Sequence, residues 1–167
     1  MQIYSVINCQ LNLRNYHPFQ INADKRLWHS PKNRTSIRLQ YVRKEREMKR
    51  SIDEMLLSGI IEKSDVVYYS HPIIVQKTAE LFRFCIDYRL LNKCTEASSR
   101  PLPNIRALLE RVGHYKPDTF GVMDLTSGYH QAPMDAASKV LTAFICYSGV
   151  YQFTRPPFSP RRAPSYF

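Results

Sequence analysis

Eleven prolines against only five glycines punctuate this chain of 167 residues. Each proline removes a backbone donor and holds φ at about −65°, so neither a helix nor a strand runs through it undisturbed. The chain must therefore fold from short or interrupted elements joined by proline-bearing loops. Hydrophobic residues at 44% and charged residues at 23% are the composition of a globular chain, not a disordered one. The length suits one domain or one large piece of a bigger protein. No apolar run approaches membrane-spanning length, and the start, Met-Gln-Ile-Tyr-Ser-Val-Ile-Asn-Cys, lacks a basic leader followed by a sustained apolar stretch. The expected setting is intracellular, with no membrane partner. Cys9, Cys85, Cys94 and Cys146 show no zinc-like spacing, which fits a reducing compartment; Cys85, in an apolar strand, reads as a small core residue.

Periodicity divides the chain as follows. Residues 1–37 are polar, aromatic and aperiodic, and read as an arm or linker. Arg43 to Ser58 reads as a helix, with Val42, Met48, Ile52, Met55 and Leu56 as its apolar stripe, Glu45 and Lys49 as an i,i+4 pair, and Gly59 as its left-handed stop. Pro72 to Lys77 and Leu81 to Asp87 read as a hairpin about Thr78-Ala79-Glu80, which sets Arg83 on one face between Phe82 and Phe84. After the loop Ser98 to Pro103, Asn104 to Val112 reads as a second helix, capped by Asn104 and stopped by Gly113, with Ile105, Leu108, Leu109 and Val112 on one face. Thr119 to Met123 reads as a buried strand. Val140 to Cys146 and Val150 to Thr154 read as a further hairpin about Ser148-Gly149.

Lys and Arg number 24 against 14 acids, a formal net charge of +10. A polyanion partner, nucleic acid before membrane, is one reading; a basic piece of a balanced larger protein is the other. The cluster Arg43, Lys44, Arg46, Lys49 and Arg50 is likewise either a solvated face or a phosphate-contacting one.

The densest chemistry lies in Met123-Asp124-Leu125-Thr126-Ser127-Gly128-Tyr129-His130-Gln131. An acid ending a buried strand can face a cleft, as where a phosphoryl-transfer site holds a divalent cation. Alone, a turn-forming aspartate reads the same way. Two other segments precede it: Arg83-Phe84-Cys85-Ile86-Asp87-Tyr88-Arg89-Leu90-Leu91-Asn92-Lys93 and Arg100-Pro101-Leu102-Pro103. In this order and spacing, the three resemble the reverse transcriptase of gypsy-type long-terminal-repeat retrotransposons and retrovirus-like Pol polyproteins, whose pattern is R-F-C-V-D-Y-R-x-L-N-K, Y-P-L-P, then D-L-x-S-G-Y-H-Q. Gly59-Ile60-Ile61-Glu62 and Lys139 to Phe144 extend the resemblance over residues 38–167.

The resemblance implies an α+β fold: the fingers and first part of the palm of a right-hand polymerase, truncated before the remaining palm strands. The implied reaction is template-directed DNA synthesis from deoxynucleoside triphosphates on a primed RNA or DNA template, with Mg2+ or Mn2+, within a larger Pol polyprotein. Asp124 matches the first metal-binding aspartate, and the backbone carbonyl of Leu125 a second metal contact. Tyr129 matches the aromatic under the incoming sugar, plain packing being its other reading. Arg83 matches an arginine that grips the triphosphate. Lys77 lies near the family's fingers lysines, and Phe158 falls in the nucleotide-side loop. Arg89 matches a template-side position, or else pairs with Asp87.

Two departures bear on activity. The family's Tyr-x-Asp-Asp hairpin does not follow, and the only later acid is Asp135, so the chain by itself is expected not to polymerise. The family's M-P-F-G-L is here Pro156-Pro157-Phe158-Ser159-Pro160, with serine where a glycine permits a close backbone approach or an unusual φ. A non-catalytic nucleic-acid-binding relic is the alternative function.

Overall fold

The structure, a computed structural model, describes residues 7–9, 17–30, 42–78, 81–96, 104–120, 123–125, 127–161 and 163–166. In chain order the elements are β1 (Ile7–Cys9), α1 (Lys25–Trp28), α2 (Val42–Leu57), β2 (Ile61–Lys63), β3 (His71–Gln76), β4 (Phe82–Asp87), α3 (Arg89–Cys94), α4 (Ile105–Tyr115), β5 (Met123–Leu125), α5 (Gly128–Gln131), α6 (Ala136–Lys139), β6 (Phe144–Cys146), β7 (Gly149–Phe153) and α7 (Ala163–Tyr166). This is an α+β arrangement of mostly short elements; the 16-residue α2 lies in a proline-free stretch, while Pro72 and Pro164 fall inside β3 and α7. Among the described residues no helix is long and apolar enough to cross a membrane.

The local signals are realised where they are strongest. Helix α2 buries Met48 and Ile52 and half-buries Met55 and Leu56, while Val42, at its first turn, is 76% exposed and lies outside the core. Gly59 has φ +67°, its N–H donates to Leu56 O (3.0 Å) and the Ile60 N–H to Met55 O (2.9 Å). These are the two bonds of a Schellman stop, with Ile60 returning toward Met55. On the polar face, Arg50 meets Glu47 (3.4 Å) and Glu54 (3.7 Å), and among the described ion pairs the anticipated Glu45–Lys49 is not present. The Arg43 guanidinium lies 5.2 Å from the Phe82 ring centroid.

Strands β3 and β4 pair antiparallel from His71↔Asp87 to Gln76↔Phe82. Pro72, Ile74, Phe84 and Ile86 share the core face; Val75 and Arg83 share the other and are exposed. Cys85 is on that second face and half-buried, so among the described thiols the buried one is Cys146, not Cys85. Strands β2, β7 and β6 form an antiparallel sheet, joined to the hairpin by a Ser70↔Phe144 bridge. Fully buried Phe144 packs against Phe84 (5.7 Å), Tyr151 (5.9 Å) and Phe153 (5.6 Å) between these layers.

Four local readings change. Val140 to Thr142 is a 3-10 turn, not strand, because the Thr142 hydroxyl donates to Lys139 O (2.6 Å) and accepts from the Phe153 N–H (3.0 Å). Helix α4 runs past Gly113 to Tyr115 and stops at Lys116 (φ +46°), while Asn104 caps it as expected, accepting from Arg106 N (3.0 Å). Its apolar stripe is exposed throughout, Ile105 by 73% and Leu109 by 66%. The strand anticipated over Thr119 to Met123 is β5, shifted so that Asp124 is its middle residue; Thr119 and Phe120 are exposed coil. Finally, the segment read as an arm supplies Phe19, Ile21 and Trp28 to the core, and β1 pairs parallel with β5. Backbone bonds from Phe19 to Pro133 (2.9 Å) and from Asp24 to Cys94 (2.8 Å) stitch it down, pairings too distant in sequence for any local pattern to reveal. The 98–103 loop, the hairpin turn at 79–80 and the 37/38 boundary fall outside the described residues.

Candidate functional site

The segment from Asp124 to Gln131 turns on a left-handed residue. Ser127 has φ +50°, and Gly128 follows with its α-carbon so close to Leu125 that an added Cβ would lie 3.1 Å from the Leu125 Cβ. Only glycine lets helix α5 start there without displacing its neighbour. The turn carries Tyr129 and His130 back over the core. The half-buried Tyr129 ring stands edge-to-face with Phe158 at 5.3 Å, and His130 lies 5.2 Å from the same ring. Tyr129 and Phe158, both expected to face a nucleotide, thus meet from positions far apart in sequence. Phe158 keeps 46% of its surface exposed.

The loop bearing Phe158 is pinned on both sides. Pro156 and Pro157 are fully buried and Pro160 is buried. Ser159, where the family pattern has glycine, takes φ +87°. Of the two reasons to expect a glycine, a close backbone approach or an unusual φ, the second is met here by a residue with a Cβ. The Asn92 side chain grips this turn: its Nδ2 donates to Ser159 O (3.0 Å), and its Oδ1 accepts from the Arg161 N–H (2.8 Å).

Under Phe158 lies a cavity of about 230 Å³, lined by Phe84, Cys85 and Ile86 of β4, by His130 and Phe153, and by Met55 of α2. Three of the sequence segments singled out above therefore border one space. Burial lowers the His130 imidazole below its ordinary pKa, and its Nε2 is buried with no hydrogen-bond partner among the described residues. His130 and Asn92 were quoted only as motif letters; no local signal assigns either a role, because their partners lie far along the chain.

The remaining expected residues are placed as follows. Arg83 is exposed on β4, opposite Val75, and Lys77 is exposed just after β3, with its N–H bonded to Leu81 O (2.8 Å). Neither has an ion-pair partner among the described residues. Arg89 makes the bidentate pair with Asp87 that was one of its two readings, through Nε (2.8 Å) and Nη2 (2.6 Å). That carboxylate raises the Arg89 pKa further, while the guanidinium side chain stays 79% exposed. Asp124 sits in β5 opposite Asn8 of β1; the direction of its carboxylate lies outside the described side chains. Asp135 is engaged as the cap of α6, accepting from the Ala137 N–H (3.1 Å).

No protein-family model matches the chain. It is 38% identical over 126 residues, 72% of its length, to the retrovirus-related Pol polyprotein from transposon 297 of Drosophila melanogaster, of which it spans 12%. Its fold is similar to that of the prototype foamy virus protease-reverse transcriptase, with a TM-score of 0.70 and 20% identity over 92% of this chain and 20% of that one. It is also similar to the foamy viral protease-reverse transcriptase solved with an RNA/DNA hybrid, with a TM-score of 0.64 and 21% identity over 79% of this chain and 18% of that one.

Proposed function

The chain belongs to the retrovirus-related Pol polyproteins, in their reverse-transcriptase region, and on that premise we propose that the face bearing Tyr129, Phe158 and the β3–β4 hairpin receives a deoxynucleoside triphosphate beside a primer–template duplex. The observation carrying this reading is the meeting of the β4, α5 and Phe158 segments around one cavity, with the Tyr129 and Phe158 rings in contact. An exposed ring next to a half-buried tyrosine offers a flat apolar surface to a sugar or base, and every base has a π-face to stack. Tyr129 would take the deoxyribose and crowd a 2′-hydroxyl. Arg83 and Lys77, both exposed cations, would take phosphate oxygens, the arginine through its planar fork. The outer edge of Arg89, steadied by Asp87, would face the template strand.

The Asp124 carboxylate and the Leu125 carbonyl would contribute to a divalent cation. They are oxygen donors only, a hard set that fits Mg2+ or Mn2+ better than zinc. Phosphate oxygens and water are further oxygen ligands that such a cation takes. When bound, such a cation offsets the charge on the reacting phosphate. The chain's own residues would orient the sugar and hold the phosphates.

The test is a titration of the full chain with a fluorescent N-methylanthraniloyl deoxyadenosine triphosphate (mant-dATP) and MgCl2, with its ribo counterpart alongside. Binding should weaken about tenfold or more in Arg83→Ala, a charge-assisted bond lost. Tyr129→Ala should narrow the preference for the deoxy form. Equal binding of both forms in the parent chain would overturn the role of Tyr129. The net charge of +10 favours a second reading, a nucleic-acid-binding relic. It predicts salt-dependent duplex binding with no nucleotide binding at all.

A further inference from the structure

We propose that Asn92 is a positioning residue that aims Phe158 by clamping the strained turn at Ser159. The proposal rests on the reading of Tyr129 and Phe158 as the nucleotide face and names the device that holds that face in place. Both ends of the Asn92 amide are engaged, the donor by Ser159 O at 3.0 Å and the acceptor by the Arg161 N–H at 2.8 Å. Both bonds hold the chain immediately after that φ of +87°, at the Ser159 carbonyl and, across Pro160, at the Arg161 N–H. A serine at that φ returns toward the common backbone regions unless its neighbours forbid it. The Pro156–Pro157 pair and Pro160 limit where the chain can go, but none of them donates a backbone hydrogen bond. Asn92 supplies the missing restraint, and Phe158, one residue before the turn, points where the turn directs it.

The clamp itself stands on a rigid base. The Asn92 N–H bonds Tyr88 O (2.8 Å) in the first turn of α3, and Tyr88 is buried, its hydroxyl donating to Thr142 O (2.8 Å). Only a primary amide offers a donor and an acceptor from one planar group at this length. Aspartate keeps the acceptor and sets a second oxygen against Ser159 O; leucine keeps neither.

The experiment uses the full chain, isotope-labelled, and two readouts: the nuclear Overhauser contact between the Tyr129 and Phe158 rings, and the affinity for mant-dATP with MgCl2. Asn92→Leu and Asn92→Asp should lose the ring contact and weaken the probe about tenfold, the range for a misaligned contact. Ser159→Gly alone should keep both. In the Asn92→Leu background, Ser159→Gly should recover at least half of the lost contact, because glycine adopts the turn without strain. If Asn92→Leu does not fold, as judged by Trp28 emission, Asn92→Asp carries the same comparison. An undiminished ring contact in the Asn92 variants would overturn the proposal, as would a loss that Ser159→Gly does not relieve, since packing alone would then explain it. Absence of mant-dATP binding in the parent chain would overturn the nucleotide reading, while the ring-contact series would still decide the clamp.

Discussion

Thr142 is the residue whose loss tests the fold most directly. It is fully buried and makes three connections: its hydroxyl accepts from the Phe153 N–H (3.0 Å) and donates to Lys139 O (2.6 Å), and its carbonyl accepts from the Tyr88 hydroxyl (2.8 Å). Thr142→Val keeps the branched shape and deletes the hydroxyl. The Phe153 N–H is then buried without a partner, at a cost of about 1–3 kcal/mol. The Lys139 carbonyl, which is only partly buried, can turn to water, so it adds little. The added methyl returns no more than about 0.8 kcal/mol. From the middle of that range, about 2 kcal/mol, the net expectation is a loss of about 1.2–2 kcal/mol, or a Tm lower by roughly 2–8 °C for a chain of this size. Urea unfolding followed by emission from Trp28, the sole tryptophan and itself buried, should show an earlier midpoint at unchanged slope. Thr142→Ser keeps both hydroxyl bonds and gives up one methyl, so it should cost only about 1 kcal/mol. A valine variant within about 0.5 kcal/mol of the parent, the range of neutral surface changes, would refute the reasoning. So would a serine variant less stable than the valine one.

Other perturbations follow from the same geometry. Burial lowers the His130 pKa in the folded chain, so the unfolded chain takes up the proton first, and stability falls as pH drops below about 6.5. His130→Phe should flatten that fall between pH 7 and pH 5 in a series of urea midpoints; parallel curves for parent and variant would count against it. Gly59→Ala meets no atom within 4 Å, so only the strain of φ +67° acts, and a loss of about 1 kcal/mol is expected by chemical denaturation. Ile52→Ala, at a position 2% exposed inside the helix–sheet interface, should cost about 2–5 kcal/mol, and a thermal melt unchanged by it would contradict the core described above.

Much of the fold was legible because it is local. The α2 stripe, its Gly59 stop, the Asn104 cap and the alternation of β3 and β4 each lie within a few residues of their cause, where periodicity and capping speak directly. Two of the misreadings, at Val140 to Thr142 and in the first residues, come from partners distant in sequence. Val140 to Thr142 carries β-branched residues and reads as strand, yet the Thr142 hydroxyl, bound to Phe153 eleven residues on, draws it into a 3-10 turn. Gly113 reads as a helix stop, yet α4 continues to a left-handed Lys116. The first residues lack period, yet they enter the core because their partners lie on α3 and around Met134.

The site divides along the same line. The residues proposed to carry its chemistry, Asp124, Arg83 and Tyr129, stand in motifs whose order and spacing resemble the family's, and a close backbone approach or an unusual φ was the expectation where Ser159 replaces glycine. The sequence by itself determined which side chains are present and which local turns they favour, since those depend on covalent neighbours and steric limits. Only the tertiary structure decided that Phe158 meets Tyr129, that His130 closes a cavity beneath them, and that Asn92 reaches 67 residues forward to hold the loop. Those contacts come from burying surface shared by distant segments, and such burial has no signature in any one segment alone.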